Sequence, residues 1–216
     1  RITYVAQVGD KHTVVVDGEE GKKYDGIVGN SPIFSPDSRR AAYAAQVGNR
    51  QFVVVDGEEG KKYDTIGESS LIFSPDGRRL AYAAGVGDRR FVVVDGEEGK
   101  KYDGHAALIF SPDSRRVVYA AQVGGKWLVV VDAEEGKKYD SIGGVVFSPD
   151  SRRVAYAAQV GGKWFVVVDG EEGKKYDDIW TTGGGAIIFD SPDNLHYLAT
   201  IATKGNQIYL VEEKIS

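Results

Sequence analysis

The chain contains no cysteine and no methionine among its 216 residues. Without cysteine, no disulfide can stabilise the fold and no thiol chemistry is available. The missing initiator methionine predicts a processed product or a piece of a longer protein. There is also no run of about 18 apolar residues and no signal-peptide pattern, so the sequence predicts no membrane insertion.

An excess of positive charge is absent as well. The 27 Lys and Arg residues are outnumbered by 32 Asp and Glu residues, and both signs are spread through the chain. The net charge of −5 does not suit a dedicated nucleic-acid binder, which carries a basic surface. The charge pattern therefore predicts a well-solvated surface and no nucleic-acid partner.

Apolar residues at helical spacing are missing, and an internal repeat fills the chain instead. The motif Phe-Ser-Pro-Asp begins at Phe34, Phe73, Phe110 and Phe147, with a broken copy at Phe189. The heptapeptide Glu-Glu-Gly-Lys-Lys-Tyr-Asp ends at Asp25, Asp64, Asp103, Asp140 and Asp177. A period near 40 residues fits a four-stranded propeller blade or a helical repeat, and the lack of helical spacing favours the blade.

Each repeat contains four short candidate strands, which we name A to D. In the fourth complete copy they are 144–147, 153–159, 164–169 and 174–177. The A–B turn holds Pro149 and Asp150, which favour a type I turn. Strand C is nearly continuous in β-branched residues, which indicates burial on both faces, whereas strand D is polar and lysine-rich like an outer edge strand. The pattern predicts an all-β chain, a β-propeller of four-stranded antiparallel blades, with a β-solenoid as the alternative.

The run Phe-Ser-Pro-Asp-Ser/Gly-Arg-Arg-x-Ala-Tyr resembles the PD40, or WD40-like, blade of TolB-type propellers. The resemblance covers residues 1–213 approximately, and the same blade type occurs in propeller domains of prolyl-oligopeptidase-like enzymes. It implies the propeller fold and a periplasmic or extracellular location. It implies no particular function, because the matching positions are turn and core residues.

We predict a single domain, 1–216, built from about six blade units. The units are 1–25 (partial), 31–64, 69–103, 106–140, 143–177 and 185–213 (partial). The first lacks strand A and the last lacks a clear strand D, and we favour this six-unit arrangement. In the alternative, the last strand A completes the first unit, five blades close, and 195–216 pairs elsewhere.

Both arrangements leave a bare strand edge, which is a template for another chain. A neighbouring copy could supply the missing strand, and repetition of such a contact builds a filament. A trimmed chain is the simpler explanation. The leading hypothesis is a non-enzymatic structural or interaction propeller whose partner is another protein or itself, with no cofactor and no metal.

The copies differ most in the B–C turns and the D–A connections, and variable loops on a repeated scaffold are where binding usually occurs. Tryptophan there could stack on sugars, so a carbohydrate-binding propeller is the alternative function. The candidate ligand- or partner-binding residues are Trp127, Trp164, Trp180, His105, Arg90 and Glu68.

The A–B and C–D turns barely vary, and they place arginine and glutamate pairs on the opposite face. We interpret these pairs as a solvated charge network, with anion binding by the arginines as the alternative. No catalytic residue is predicted, because the chain has no His-x-x-x-His pair, phosphate-binding loop or Gly-x-Ser-x-Gly motif. A small hydrolase would need carboxylates clustered in the central opening, and the A strands carry none.

Overall fold

The structure, a computed structural model, describes residues 1–181, 186–202 and 207–215. These residues form strands β1 to β24, and none of them forms a helix long and apolar enough to cross a membrane. The chain divides into two compact units, Arg1–Leu108 and Ile109–Ser216.

The first unit contains three antiparallel sheets. The first sheet has the order β1 (Thr3–Val8), β2 (Lys11–Val16), β3 (Glu19–Tyr24). The second has the order β4 (Gly26–Phe34), β5 (Ala41–Val47), β6 (Arg50–Val55), β7 (Glu58–Glu59). In the third, β10 (Leu80–Val86) pairs on one side with β8 (Thr65–Ile66) and β9 (Ile72–Phe73), and on the other with β11 (Arg89–Val94), which pairs with β12 (Glu97–Glu98).

The second unit also contains three sheets. The fourth sheet has the order β13 (Gly104–Phe110), β14 (Val117–Val123), β15 (Lys126–Val131), β16 (Glu134–Glu135), and β13 begins just before the unit boundary. The fifth has the order β17 (Ser141–Phe147), β18 (Val154–Val160), β19 (Lys163–Val168), β20 (Glu171–Glu172). The sixth contains β21 (Asp178–Ile179), β22 (Ile188–Ser191), β23 (Asn194–Ile201) and β24 (Gln207–Lys214).

The sheets match the predicted repeats, and the all-β prediction is confirmed. The first sheet has strands B, C and D without a strand A. In the sixth sheet strand A is split into β21 and β22, both paired with strand B (β23), and β24 is strand C. The C-terminal strand A therefore pairs within its own repeat, as in the six-unit arrangement. The division of the chain into a single domain stays a prediction.

The C–D connection is shorter than the sequence suggested. Only two residues form the turn, Asp56 and Gly57 in the second sheet, and both have positive φ. This is the type I′ geometry that joins the right-handed twist of two strands. The following Glu58 and Glu59 already pair with β6, and Tyr63 forms one further bridge to Gln51. The Glu-Glu pair that we interpreted as turn is therefore the start of strand D.

Successive sheets within each unit pack face to face through apolar side chains. We call the face that packs on the next sheet along the chain the forward face, and the opposite one the backward face. The second sheet's forward face supplies Ala44, Val53 and Tyr63. These residues pack on Tyr82 and Phe91 of the third sheet's backward face. The equivalent contact recurs between the first and second, fourth and fifth, and fifth and sixth sheets.

Candidate functional site

Within each unit, the second arginine of an Arg-Arg pair links neighbouring sheets, as at Arg40, Arg116 and Arg153. Arg40 begins strand B of the second sheet, and its Nε donates to Asp56 Oδ2 at 2.9 Å, at the end of strand C in the same sheet. Its Nη1 donates to the Arg78 carbonyl oxygen of the next sheet at 2.7 Å. The guanidinium also lies 5.4 Å from the ring centre of Phe73. Arg40 is therefore held on three sides by fixed partners.

The same arrangement occurs at equivalent positions in both units. Arg1 pairs with Asp17 and lies over Phe34, and Arg116 pairs with Asp132 and lies over Phe147. The predicted solvated charge network thus has two parts. The second arginines are built into the contacts between sheets, while the first arginines, such as Arg39, are almost fully exposed. On the face formed by the A–B and C–D turns, which we call the constant face, the second arginines are therefore engaged, and an anion would meet the exposed first arginines.

A second polar cluster spans the contact between the first and second sheets and the contact between the fourth and fifth, on the side of strand D. The Tyr24 hydroxyl of the first sheet donates to Glu59 Oε1 of the second at 3.3 Å, and Lys22 Nζ lies 3.3 Å from the same atom. Tyr139, Lys137 and Glu172 repeat this geometry in the second unit. Burial is the largest cause that raises the pKa of Tyr24, so its hydroxyl stays protonated and remains a donor.

Equivalent clefts, each walled by two consecutive sheets, lie between the first and second, the second and third, and the fourth and fifth sheets. Their volumes are about 540, 540 and 300 Å³. In the cleft between the second and third sheets, Val53, Val55 and Leu80 form an apolar floor. Glu58 and Arg78 stand at its rim. Sequence reasoning missed the clefts because each wall comes from a different repeat. The signal was the Val-x-Val spacing in strand C, which places two apolar side chains on one face beside the Glu-Glu pair.

The B–C turns and D–A connections form the face that we call the variable face. On it, Trp127 and Trp164 occupy equivalent places in the fourth and fifth sheets. Each lies opposite a glutamine across strands B and C, Gln122 and Gln159 respectively. Both indoles are partly buried. Trp164 packs against the core cluster shared with the sixth sheet, so at least part of its ring serves packing.

Trp180 is also partly buried and is tied to the sixth sheet. Its backbone N–H donates to the Leu198 carbonyl oxygen at 3.0 Å, and its indole Nε1–H donates to Thr200 Oγ1 at 3.2 Å. The neighbouring glycines of the same connection, 183–185, lie outside the described residues. The indole N–H of Trp180 is therefore already engaged.

The structure brings together two candidates of the first unit, His105 and Arg90. Burial lowers the pKa of His105, and the positive charge of Arg90 lowers it further. Arg90 donates from Nη1 to the Gly87 carbonyl oxygen at 2.9 Å. Its guanidinium occupies space that opens because Gly85 stands where most repeats carry glutamine: a Cβ at Gly85 would lie 2.8 Å from Arg90 Nη1. Glu68 is exposed, and its Cα lies beside Gly29 of the preceding D–A connection.

Bare edges and exposed apolar side chains occur together in the first and sixth sheets. In the first sheet, β1 pairs with β2 alone among the described strands, and Ile2 and Tyr4 are 71% and 52% exposed. In the sixth sheet, β24 pairs with β23 in the place of strand C, and Ile208 and Leu210 are 52% and 61% exposed. These surfaces differ from the repeated sheets, where the corresponding positions are largely covered.

Candidate metal and catalytic groups are sparse. Within residues 1–181, 186–202 and 207–215, no three His, Cys, Asp or Glu side chains are grouped as metal ligands. His196 Nδ1 lies 2.8 Å from Asp190 Oδ2, a pair that joins β22 to β23. This pair therefore ties two paired strands of the sixth sheet together.

No family model and no curated protein matches the sequence. Among solved structures, the β-propeller domain of the Trilobed protease from Pyrococcus furiosus gives a TM-score of 0.51 at 11% identity, over 87% of this chain and 68% of that one. A structure of the eukaryotic initiation factor gives 0.52 at 13% identity, over 99% and 62%. TolB from Acinetobacter baumannii gives 0.44 at 13% identity, over 98% and 60%.

These identities show the fold alone, and the TolB score is too low to support an argument. The β-propeller predicted from the PD40-like repeats is confirmed, and the resemblance to TolB-type propellers stands at the level of fold. The chain spans 60% of the TolB structure and 62% of the initiation factor.

The prediction that the chain is not an enzyme was wrong as an inference from the fold. The same architecture serves as a domain of a protease, so a propeller without an evident catalytic cluster does not indicate a non-enzymatic protein. The likeness supplies no positive evidence for an activity in this chain.

Proposed function

We propose that this β-propeller is a protein-interaction scaffold that associates through its incomplete sheets, with itself or with another β-rich protein. The observation that carries the proposal is the contrast between repeated and incomplete sheets. Strands A cover the inner edge of strand B in the second and fifth sheets, whereas β1 has no such cover in the first sheet. In the sixth sheet, β24 pairs with β23 alone among the described strands.

A bare edge presents a row of unpaired N–H and C=O groups that can accept a further strand. Proteins protect such edges with lysine, proline or a bulge. The β1 segment Thr3–Val8, of sequence TYVAQV, contains none of the charged residues or prolines that blunt an edge. Addition of a strand from a partner satisfies the backbone, while side-chain pockets select the partner.

The direct test is the molar mass of the protein in solution over a wide concentration series, with electron microscopy of the same samples. Association through an edge predicts a mass that rises with concentration, and head-to-tail repetition predicts chains or filaments. Hydrogen exchange of the β1 and β24 amides identifies the strands through which the protein associates, because edge pairing protects these amides. A monomer at every concentration, with unchanged exchange in these strands and no protein captured as a defined partner, contradicts the proposal.

A carbohydrate-binding propeller is the second candidate function. The observation that favours it is the recurrence of a partly exposed tryptophan opposite a glutamine, Trp127–Gln122 and Trp164–Gln159. An indole can stack on a sugar ring while a nearby amide bonds its hydroxyl groups. The proposal predicts glycan-array binding that is lost in Trp127→Ala and Trp164→Ala but retained in Arg78→Ala, on the constant face. Absence of binding to any glycan by the unaltered protein rejects it.

A further inference from the structure

The contact between consecutive sheets has two distinct halves that can be followed residue by residue. The forward half is supplied by strands B, C and D: Ala157, Val166 and Tyr176 in the fifth sheet. The backward half is supplied by strands B and C of the next sheet, where Leu195 and Tyr197 are fully buried. The structure contains this contact four times within its two units.

On the backward face of the first sheet, apolar side chains of strand B are exposed, whereas Val15 in strand C of the same face is buried. Tyr4 stands in the register of Tyr43, since each lies opposite the second valine of strand C (Tyr4↔Val15, Tyr43↔Val54). Tyr43 is 5% exposed because the first sheet covers it, and Tyr4 is 52% exposed. Ile2 extends the same face. The exposed Glu20 occupies the place of Glu59, which in the inner contact accepts a hydrogen bond from Tyr24 and forms an ion pair with Lys22.

The sixth sheet carries an exposed forward half. Leu210 stands in the register of Val166, because Val211 lies opposite Tyr197 as Val167 lies opposite Tyr156. Ile208 likewise takes the place of Trp164. Both are more than half exposed, although Tyr197 on the backward face of the same sheet is completely buried. Beyond them on the same side of β24 stand Glu212 and Lys214.

From these two faces we infer that a second copy of this chain is the partner: the forward face of its sixth sheet stacks on the backward face of the first sheet, in the register of the inner contacts. This inference rests on the proposed self-association and specifies its geometry. One molecule carries both halves of a contact whose inner copies bury the same residue types. A heterologous contact of this kind repeats from copy to copy and either closes a ring or extends a chain.

Charge supports the same pairing. In the inner contacts a lysine from the forward side meets the second glutamate of the Glu-Glu pair on the backward side, as Lys61 meets Glu98 at 2.6 Å. In the terminal pair, the forward side offers the exposed Lys214, which takes the register place of Gly170 in the C–D turn and not that of the strand D lysine, and the backward side offers the exposed Glu20. The apolar centre with an ionic rim is the usual anatomy of a protein interface.

The test is a charge-swap experiment on the full chain. Leu210→Glu places a charge in the centre of the contact and Ile2→Lys places one at its edge, and we expect each variant alone to weaken self-association, the first by more than about ten-fold, as loss of a central apolar anchor does. An equimolar mixture of the two variants should associate again, because the intact sixth-sheet face of Ile2→Lys meets the intact first-sheet face of Leu210→Glu, and the two altered faces carry opposite charges. Val160→Glu is the matched control, since Val160 is exposed at a B–C turn away from both faces and should change nothing.

The outcomes separate this inference from the proposed function. Urea unfolding of each variant verifies that a lost association is not a lost fold. If both charged variants associate as the unaltered protein does while β1 amides become protected, edge pairing holds and face stacking is rejected. Loss of association in both variants without restoration in the mixture also overturns the stacking geometry. If the unaltered protein remains a monomer, both proposals fail.

Discussion

The inner contacts and the two incomplete sheets carry the same residues in different states. Tyr43 and Tyr4 share a register and a residue type, yet Tyr43 is 5% exposed and Tyr4 is 52% exposed. The difference arises from the neighbouring sheet and not from the residue's own strand. Each repeat therefore supplies one face to each of two contacts, and a sheet is stabilised by the neighbouring sheets that pack on its two faces.

The largest expected effect comes from making the same substitution, tyrosine to alanine, in both regions. Tyr43→Ala should lower the free energy of unfolding by about 3–5 kcal/mol, because it removes a buried ring that meets Tyr24 edge to face. Tyr4→Ala should change it by no more than about 0.5 kcal/mol, as expected for an exposed side chain. Urea unfolding at a low protein concentration, where self-association is weak, measures both. Equal costs at the two positions would mean that Tyr4 is covered in solution by an intramolecular contact.

A smaller effect is expected from the arginine that links sheets. Arg40→Ala removes a bond to the Arg78 carbonyl oxygen, the ion pair with Asp56 and the stacking on Phe73. Because the guanidinium is about one third exposed, we expect a loss of about 1–2 kcal/mol. Arg78→Ala is the control, since its side chain is exposed and its carbonyl remains, and it should cost less than about 0.5 kcal/mol.

The two arginines are adjacent on the constant face, so the pair distinguishes a linking role from bulk charge. If Arg78→Ala were as costly as Arg40→Ala, the loss would come from the net charge of that face. A cost for Arg40→Lys close to that of Arg40→Ala would show that the planar guanidinium, and not the charge alone, is required.

These contacts separate the features that the sequence could predict from those that it could not. Strand order and the six-fold repetition followed from turn chemistry and from apolar strands B and C, because both signals are local. The roles of Arg40 and Tyr24 did not follow, because their partners Phe73 and Glu59 lie in the next repeat, and a repeated motif does not say which neighbour it serves. The clefts were missed for the same reason. At the variable face, the proximity of Arg90 to His105 was hidden because it depends on space left by Gly85.

A still smaller effect on stability is expected from substitutions in the C–D turns of two sheets. The second turn residue has positive φ in each, and it is glycine everywhere except at Ala133, whose φ is 72°. An alanine in this left-handed region costs about 1 kcal/mol relative to glycine, so Ala133→Gly should stabilise the protein by about that amount. Gly170→Ala in the fifth sheet should destabilise it equally, since a Cβ there meets nothing within 4 Å and the cost is backbone strain alone. A denaturation midpoint that moves the same way in both variants would reject the explanation.

The smallest expected effect is the pH dependence contributed by His105, whose ring is partly covered within the first unit. Burial, with the Arg90 charge as the second cause, lowers the pKa of His105 in the folded state below the value of about 6.5 expected in the unfolded chain. The unfolded chain therefore takes up the proton first as the pH falls, so the stability that depends on neutral His105 is present above about pH 6.5 and declines below it. The stabilities of the unaltered protein and of His105→Gln, measured by unfolding between pH 7.5 and 5.5, should diverge accordingly. NMR titration of Arg90→Gln should show the His105 pKa partly restored, because that variant removes the charge and keeps most of the burial. A His105 pKa at or above 6.5 in the unaltered protein would show that the ring is exposed to solvent, as the side chain of Tyr4 is, and would contradict its burial.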